Sequence, residues 1–163
     1  MPEHIDIRTR AWLDQEDRRT AEIIREHRVF IQSVLGGPAA RPPFAYTVGL
    51  FGMAHPEMLV VGLCHHESGP ILNEMADRVA AGHDFTPNET VTVDGWPHHF
   101  VVEAVPNPAE VVFAANRFYQ RPDEASVPVL QLTFADKAGR FPWDEGYSLP
   151  AWRQPRPGAF SAR

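Results

Sequence analysis

Two stretches of this chain hold the residue types best suited to chemistry. In the first, residues 44–63, two apolar runs rich in β-formers flank His55-Pro56-Glu57, with Gly49 and Gly52 leading into it. An imidazole and a carboxylate two residues apart at a rigid proline can act as a general base and its orienting group. In the second, residues 131–144, a run ending Phe134-Ala135 delivers Asp136, Lys137 and Arg140 around Gly139, followed by Phe141-Pro142-Trp143. Asp136 and Arg140 can pair with each other or orient a ligand carboxylate. Phe141 and Trp143 either floor a pocket or cover a sheet edge. Read as ligand-binding candidates, the two stretches supply Thr47, His55, Glu57, Asp136, Arg140 and Trp143. The catalytic candidates are His55 and Glu57. Against both stands a plain alternative, a turn in which His55 caps a strand end.

Eight histidines raise metal binding as a further reading. His55, one of His65/His66 and one of His98/His99 would have to converge, since neighbours on a strand point to opposite faces. Their spacing matches no compact metal motif, so no metal and no cofactor is assigned. His4, His27 and His83 read as surface residues. No G-x-S-x-G, P-loop or G-x-G-x-x-G occurs, and the serines lack a nucleophile signature. Asp123-Glu124 and Asp144-Glu145 sit in polar loops where solvated charge is the default.

The elements that must position these residues follow from periodicity and punctuation. Asp14 is placed as cap of a helix over about 15–27, with Ile23 and Ile24 inward. Val29–Leu35 alternates as a strand, and Gly36-Gly37-Pro38 and Arg41-Pro42-Pro43 bracket a surface turn. Strands are expected at about 44–50 and 57–63. Ser68 is placed as cap of a helix over about 69–81, ended by Gly82. Thr90–Val93 and His99–Val105, joined through Asp94-Gly95, read as a hairpin. Pro108 opens a third helix to about 118, and Val129–Phe134 is the last strand. The tail from Gly139 should be irregular, packed by its aromatics at first and loose at its end. Paired strands and single helices without βαβ spacing predict an α+β fold: a mostly antiparallel sheet with about three helices packed on it.

At 163 residues the chain reads as a single domain, its core about 12–147 and a Pro/Arg-rich tail at 148–163. Fifteen Lys and Arg are scattered among 21 acids for a net charge of −6, which disfavours nucleic acid as a partner. No apolar run approaches a membrane span, and the N-terminus lacks a signal-peptide core. With Cys64 the only cysteine, no internal disulfide forms, and a cytoplasmic location is expected. Cys64 ends an apolar run and is expected to be a buried, inert thiol.

Several separated segments resemble one family, the domain of unknown function 4262 (DUF4262). They are Tyr46-Thr47-Val48-Gly49-Leu50, His55-Pro56-Glu57, Val60-Val61-Gly62-Leu63, Leu72-Asn73-Glu74-Met75-Ala76 with Gly82, and Asp136-Lys137-x-Gly139-Arg140-Phe141-Pro142-Trp143. The resemblance spans about residues 28–147. It implies a small bacterial protein, brings no activity with it, and marks Thr47, Gly49, His55, Pro56, Glu57, Asn73, Asp136, Gly139, Phe141 and Trp143. Cys64 and His65-His66 lie outside its pattern. Two functional readings follow: a domain binding a small molecule or a protein partner, or a hydrolase with His55 as general base and Glu57 beside it, metal-assisted or not. Whether the chain is an enzyme is left open between them. An exposed sheet edge would make a homodimer unsurprising.

Overall fold

The computed structural model describes residues 6–163. Helix α1 (Ile7–His27) leads to strands β1 (Phe30–Val34), β2 (Phe44–Val48) and β3 (Glu57–Val61), then helix α2 (His65–Ala80). Strands β4 (Thr90–Val91) and β5 (Phe100–Ala104), helix α3 (Phe113–Phe118) and strand β6 (Val129–Phe134) complete the order. The fold is α+β, as the paired strands and single helices predict. The sheet order is β1-β2-β3-β6-β5-β4.

The sheet is mixed, which corrects the expectation of a mostly antiparallel one. Two antiparallel triplets, β1-β2-β3 and β6-β5-β4, meet where β3 and β6 run parallel, Glu57 opposite Val129 and Leu59 opposite Gln131. A parallel pair needs a crossover connection. Here that crossover contains α2, the β4-β5 pair and α3, too much chain to leave a local βαβ signature.

Burial on both faces explains why every residue of β2, β3 and β6 is buried. On one face Met58, Val60, Leu130 and Leu132 pack against Ile71, Leu72 and Met75 of α2. On the other, Tyr46, Leu59, Val61 and Val129 pack against Val111, Val112 and Ala115 around α3 and against Phe160 of the tail. The period-2 alternation of each strand feeds both clusters at once.

Several boundaries differ from the sequence reading. Helix α1 starts at Ile7, so Asp14 lies inside it, and none of its residues is fully buried. Helix α2 starts at His65 with Cys64 as its N-cap. Ser68 is inside the first turns, its Oγ donating back to Cys64 O at 3.0 Å. Cys64 is exposed, not a core thiol. The third helix divides into a 3₁₀ turn, Pro108–Glu110, and α3.

The tail is not loose. Gln154 and Phe160 are buried. The Gln154 side-chain amide takes the Phe134 N–H at 2.9 Å and donates to Phe134 O at 2.9 Å. It thus stands where a strand would pair with the end of β6. Gly62, at φ 101, turns the chain at the end of β3, and Arg153 O occupies the space a β-carbon there would need. Among the described residues no helix is long and apolar enough to cross a membrane.

Candidate functional site

Glu57 opens β3 and is fully buried. Leaving β2, the chain turns at Gly49 (φ 138), where a β-carbon would sit 2.6 Å from Arg28 O. A 3₁₀ turn, Phe51–Met53, follows, closed by Ala54 in the left-handed region. This turn aims successive N–H groups at one point, an anion nest. The anion is Glu57. Its Oε1 accepts from Gly49 N at 2.8 Å and Phe51 N at 3.0 Å. Its Oε2 accepts from the Thr47 hydroxyl at 2.6 Å and Leu50 N at 3.2 Å. Thr47 Oγ1 in turn accepts from Met58 N at 2.9 Å, replacing a sheet carbonyl. Burial is the strongest influence on the Glu57 carboxyl and pushes its pKa above the ordinary carboxylate value, while the four donors pull it down. Nearby, burial pushes Tyr46 up to about 12, its hydroxyl accepting from Ala114 N at 2.9 Å.

His55 is buried too, with both ring nitrogens engaged. Nδ1 lies 2.7 Å from Pro56 O, and Nε2 accepts from Phe85 N at 3.0 Å. That network places the ring proton on Nδ1 and occupies the Nε2 lone pair. Exposed Asp84 is 3.7 Å from Nε2. Glu57 makes none of the His55 bonds, although the two were paired in the sequence reading.

The second stretch is equally self-contained. Asp136 Oδ1 accepts from Ala138 N and Arg140 N, each at 2.9 Å. Its Oδ2 accepts from Ser148 N and Ser148 Oγ, each at 2.9 Å. These donors, Arg140 N foremost, hold its pKa down at about 2. Arg140 pairs with Asp136 through backbone, not through charge; its guanidinium reaches Gly146 O at 3.2 Å. Trp143 is half-exposed and stacks on Phe141 at 5.0 Å, with the Arg156 guanidinium 4.8 Å from its ring centre.

The two stretches adjoin where β3 pairs with β6, but their charged residues do not meet. Glu57 stands opposite Val129 at the start of β6, and Asp136 lies beyond the end of that strand at Phe134. Seven residues of extended chain at about 3.3 Å each separate them by roughly 20 Å. His65 and His66 sit on the exposed first turn of α2, and His98 Nδ1 lies 3.0 Å from Asp136 O. Among the described residues no three His, Cys, Asp or Glu side chains gather as metal ligands would.

The space for a ligand lies elsewhere. A groove of about 680 Å³ runs between the β1–β2 turn, residues 34–42, and the tail from Trp152. Buried Phe44 and Phe160 meet edge to face at 5.0 Å in its lining, with exposed Leu35 and Trp152 beside them. Arg41 and Arg163 are its charged lining residues, and no acidic side chain is among them. From sequence, 36–43 reads as a surface turn and 148–163 as tail. The available signal was Trp152 and Phe160, two large aromatics in a segment read as irregular.

No curated protein and no solved structure matches the chain. Residues 23–148 match the family described as "Domain of unknown function (DUF4262)". That span is more than three quarters of the chain and holds both signature stretches, so the protein belongs to the DUF4262 family.

Proposed function

We propose that this domain is a binding module, with a small molecule held in the groove between the 34–42 turn and the tail. The groove itself carries the reading: its 680 Å³ volume is that of a small-ligand site, and its lining is apolar with few charged groups. Thr47, His55, Glu57 and Asp136 then serve as scaffold, because their polar atoms are spent on the protein's own backbone and hydroxyls. Arg140 and Trp143 are the members of the set that keep exposed surface. The hydrolase reading gains no support from the geometry. His55 would have to break a buried bond to take a proton, and Glu57 makes no bond to it. A cytoplasmic setting fits the lone cysteine, and the β1 edge is the surface a homodimer would use.

A thermal-shift screen of the full chain against metabolites tests the reading. A ligand at one hundred times its Kd stabilises by about 2.7 kcal/mol. The expected hit loses its effect in Leu35→Ser and Trp152→Ala but keeps it in Trp143→Ala and Arg140→Gln. The reverse pattern would move the site to the 136–148 turn.

A further inference from the structure

We infer that the groove takes an apolar carboxylate, its acid group on Arg41 and its hydrocarbon body against Phe44, Phe160 and Trp152. This rests on the groove being the binding site and specifies what enters it. The charge pattern is the first reason. The chain carries a net charge of −6, yet the groove lining has two arginines and no acidic side chain. The two are not equivalent: Arg163 is tied to Asp123 at 2.8 Å, whereas Arg41 has no side-chain hydrogen bond or ion pair among the described residues. An unengaged guanidinium at an apolar cleft is suited to bidentate capture of a carboxylate.

The second reason is how Arg41 is held. Gly37 N donates to Arg41 O at 3.1 Å, closing a loop over Pro38, Ala39 and Ala40. Ala39 at φ 61 and Ala40 at φ 56 are both left-handed, where alanine is strained. Gly36 passes so close that a β-carbon there would sit 2.9 Å from Arg41 O. Nothing about a surface hairpin requires two strained alanines, since Asn-Gly would serve at lower cost. Such strain is typical of ligand clamps. The turn fixes the backbone of Arg41 and leaves its guanidinium at the groove rim.

Octanoate, 1-octanol and octylamine, one hydrocarbon body with three head groups, test this on the full chain by ¹H–¹⁵N NMR titration. Shifts at residues 35–44 and 152–162 report binding. Octanoate should bind at least tenfold tighter than octanol, with octylamine weakest. Arg41→Gln should erase the octanoate preference and leave octanol unchanged, while Arg41→Lys keeps part of it. The Arg41 side chain is exposed and makes no described bond, so both variants should fold as wild type. Octanol binding as tightly as octanoate would overturn the carboxylate inference and leave the groove reading standing. A preference abolished by Arg163→Gln but not by Arg41→Gln would overturn the anchor. Silence toward all three probes would overturn the groove reading with it.

Discussion

Replacing Glu57 by Gln tests the claim that this carboxylate is a tether for the 49–53 turn. Wild-type Glu57 accepts four bonds, two on each oxygen. Glutamine keeps one acceptor and turns the other position into a donor. The better orientation points the new NH₂ at Thr47, whose hydroxyl can rotate, and leaves Leu50 N–H buried without an acceptor. An orphaned buried donor costs about 1–3 kcal/mol, and losing charge assistance on the other bonds adds to it, so the total is about 2–4 kcal/mol. For a chain of this size each kcal/mol moves Tm by about 2–4 °C, which predicts a fall of roughly 5–15 °C. Urea unfolding at neutral pH, with an unchanged m-value, is the assay. The pH profile sharpens it. Burial raises the folded pKa of Glu57, so its titration favours the fold fully below the ordinary value of 4.5 and less as pH rises through the folded value. The gap between wild type and variant is therefore widest in acid and narrows upward. A loss under about 0.5 kcal/mol, inside the range of ordinary surface substitutions, would refute the tether. A gap that widens with pH would refute the ranking of burial over the donors. Thr47→Val should be non-additive with Glu57→Gln, because the two share one bond.

Three further outcomes are expected. Asp136, held down at about 2, contributes stability present above its ordinary value of 3.8 and lost as pH falls through the folded one. Asp136→Asn should therefore flatten the acid limb of the stability curve between those values, as read by urea midpoints. Gly62→Ala drives a β-carbon into Arg153 O at a positive φ and should lift the tail; faster hydrogen exchange at the Phe134 amide, normally held by Gln154, is the readout. His55→Ala leaves Phe85 N–H without its acceptor and opens a void, lowering stability by about 2–4 kcal/mol. Its ligand affinity in the groove should be unchanged, and a lost affinity would return His55 to the binding site.

The local elements were legible wherever burial imposes a period. The apolar runs of β2, β3 and β6 and the 3.6-residue face of α2 appear at the expected places. The start of α1 was misplaced because Asp14 resembles a cap, and no buried face marks the helix around it. The pairing of His55 with Glu57 failed for a geometric reason. Strand alternation would put residues two apart on one side, but His55 belongs to the preceding turn, and only Glu57 is in β3. The parallel seam was not legible, because a register between residues 57 and 129 leaves no local trace. The groove was not legible either: its walls are a turn and a tail, which carry no periodicity. Asp136 was legible as important, but two of its four bonds come from Ser148, beyond the stretch that drew attention to it.

The seam between β3 and β6 also bears on how this chain reaches its fold. Each antiparallel triplet is built around a sequence-local pair, β1-β2-β3 in one half and β4-β5 in the other, with β6 joining from farther along. The contacts that unite the halves join residues 57–59 to 129–131, so the largest loop-closure entropy falls on the central strands, not the edges. The two triplets should therefore assemble early and separately, with the zipping of β3 onto β6 limiting the rate. Truncations in the seam strands, such as Leu59→Ala and Leu130→Ala, should then slow folding; each residue also pairs within its own triplet, Leu59 with Tyr46 and Leu130 with Ala104, so part of the loss falls there. Until it closes, two half-sheets each expose a fresh hydrogen-bonding edge at what becomes the middle of the protein, and a second copy of the chain could pair there.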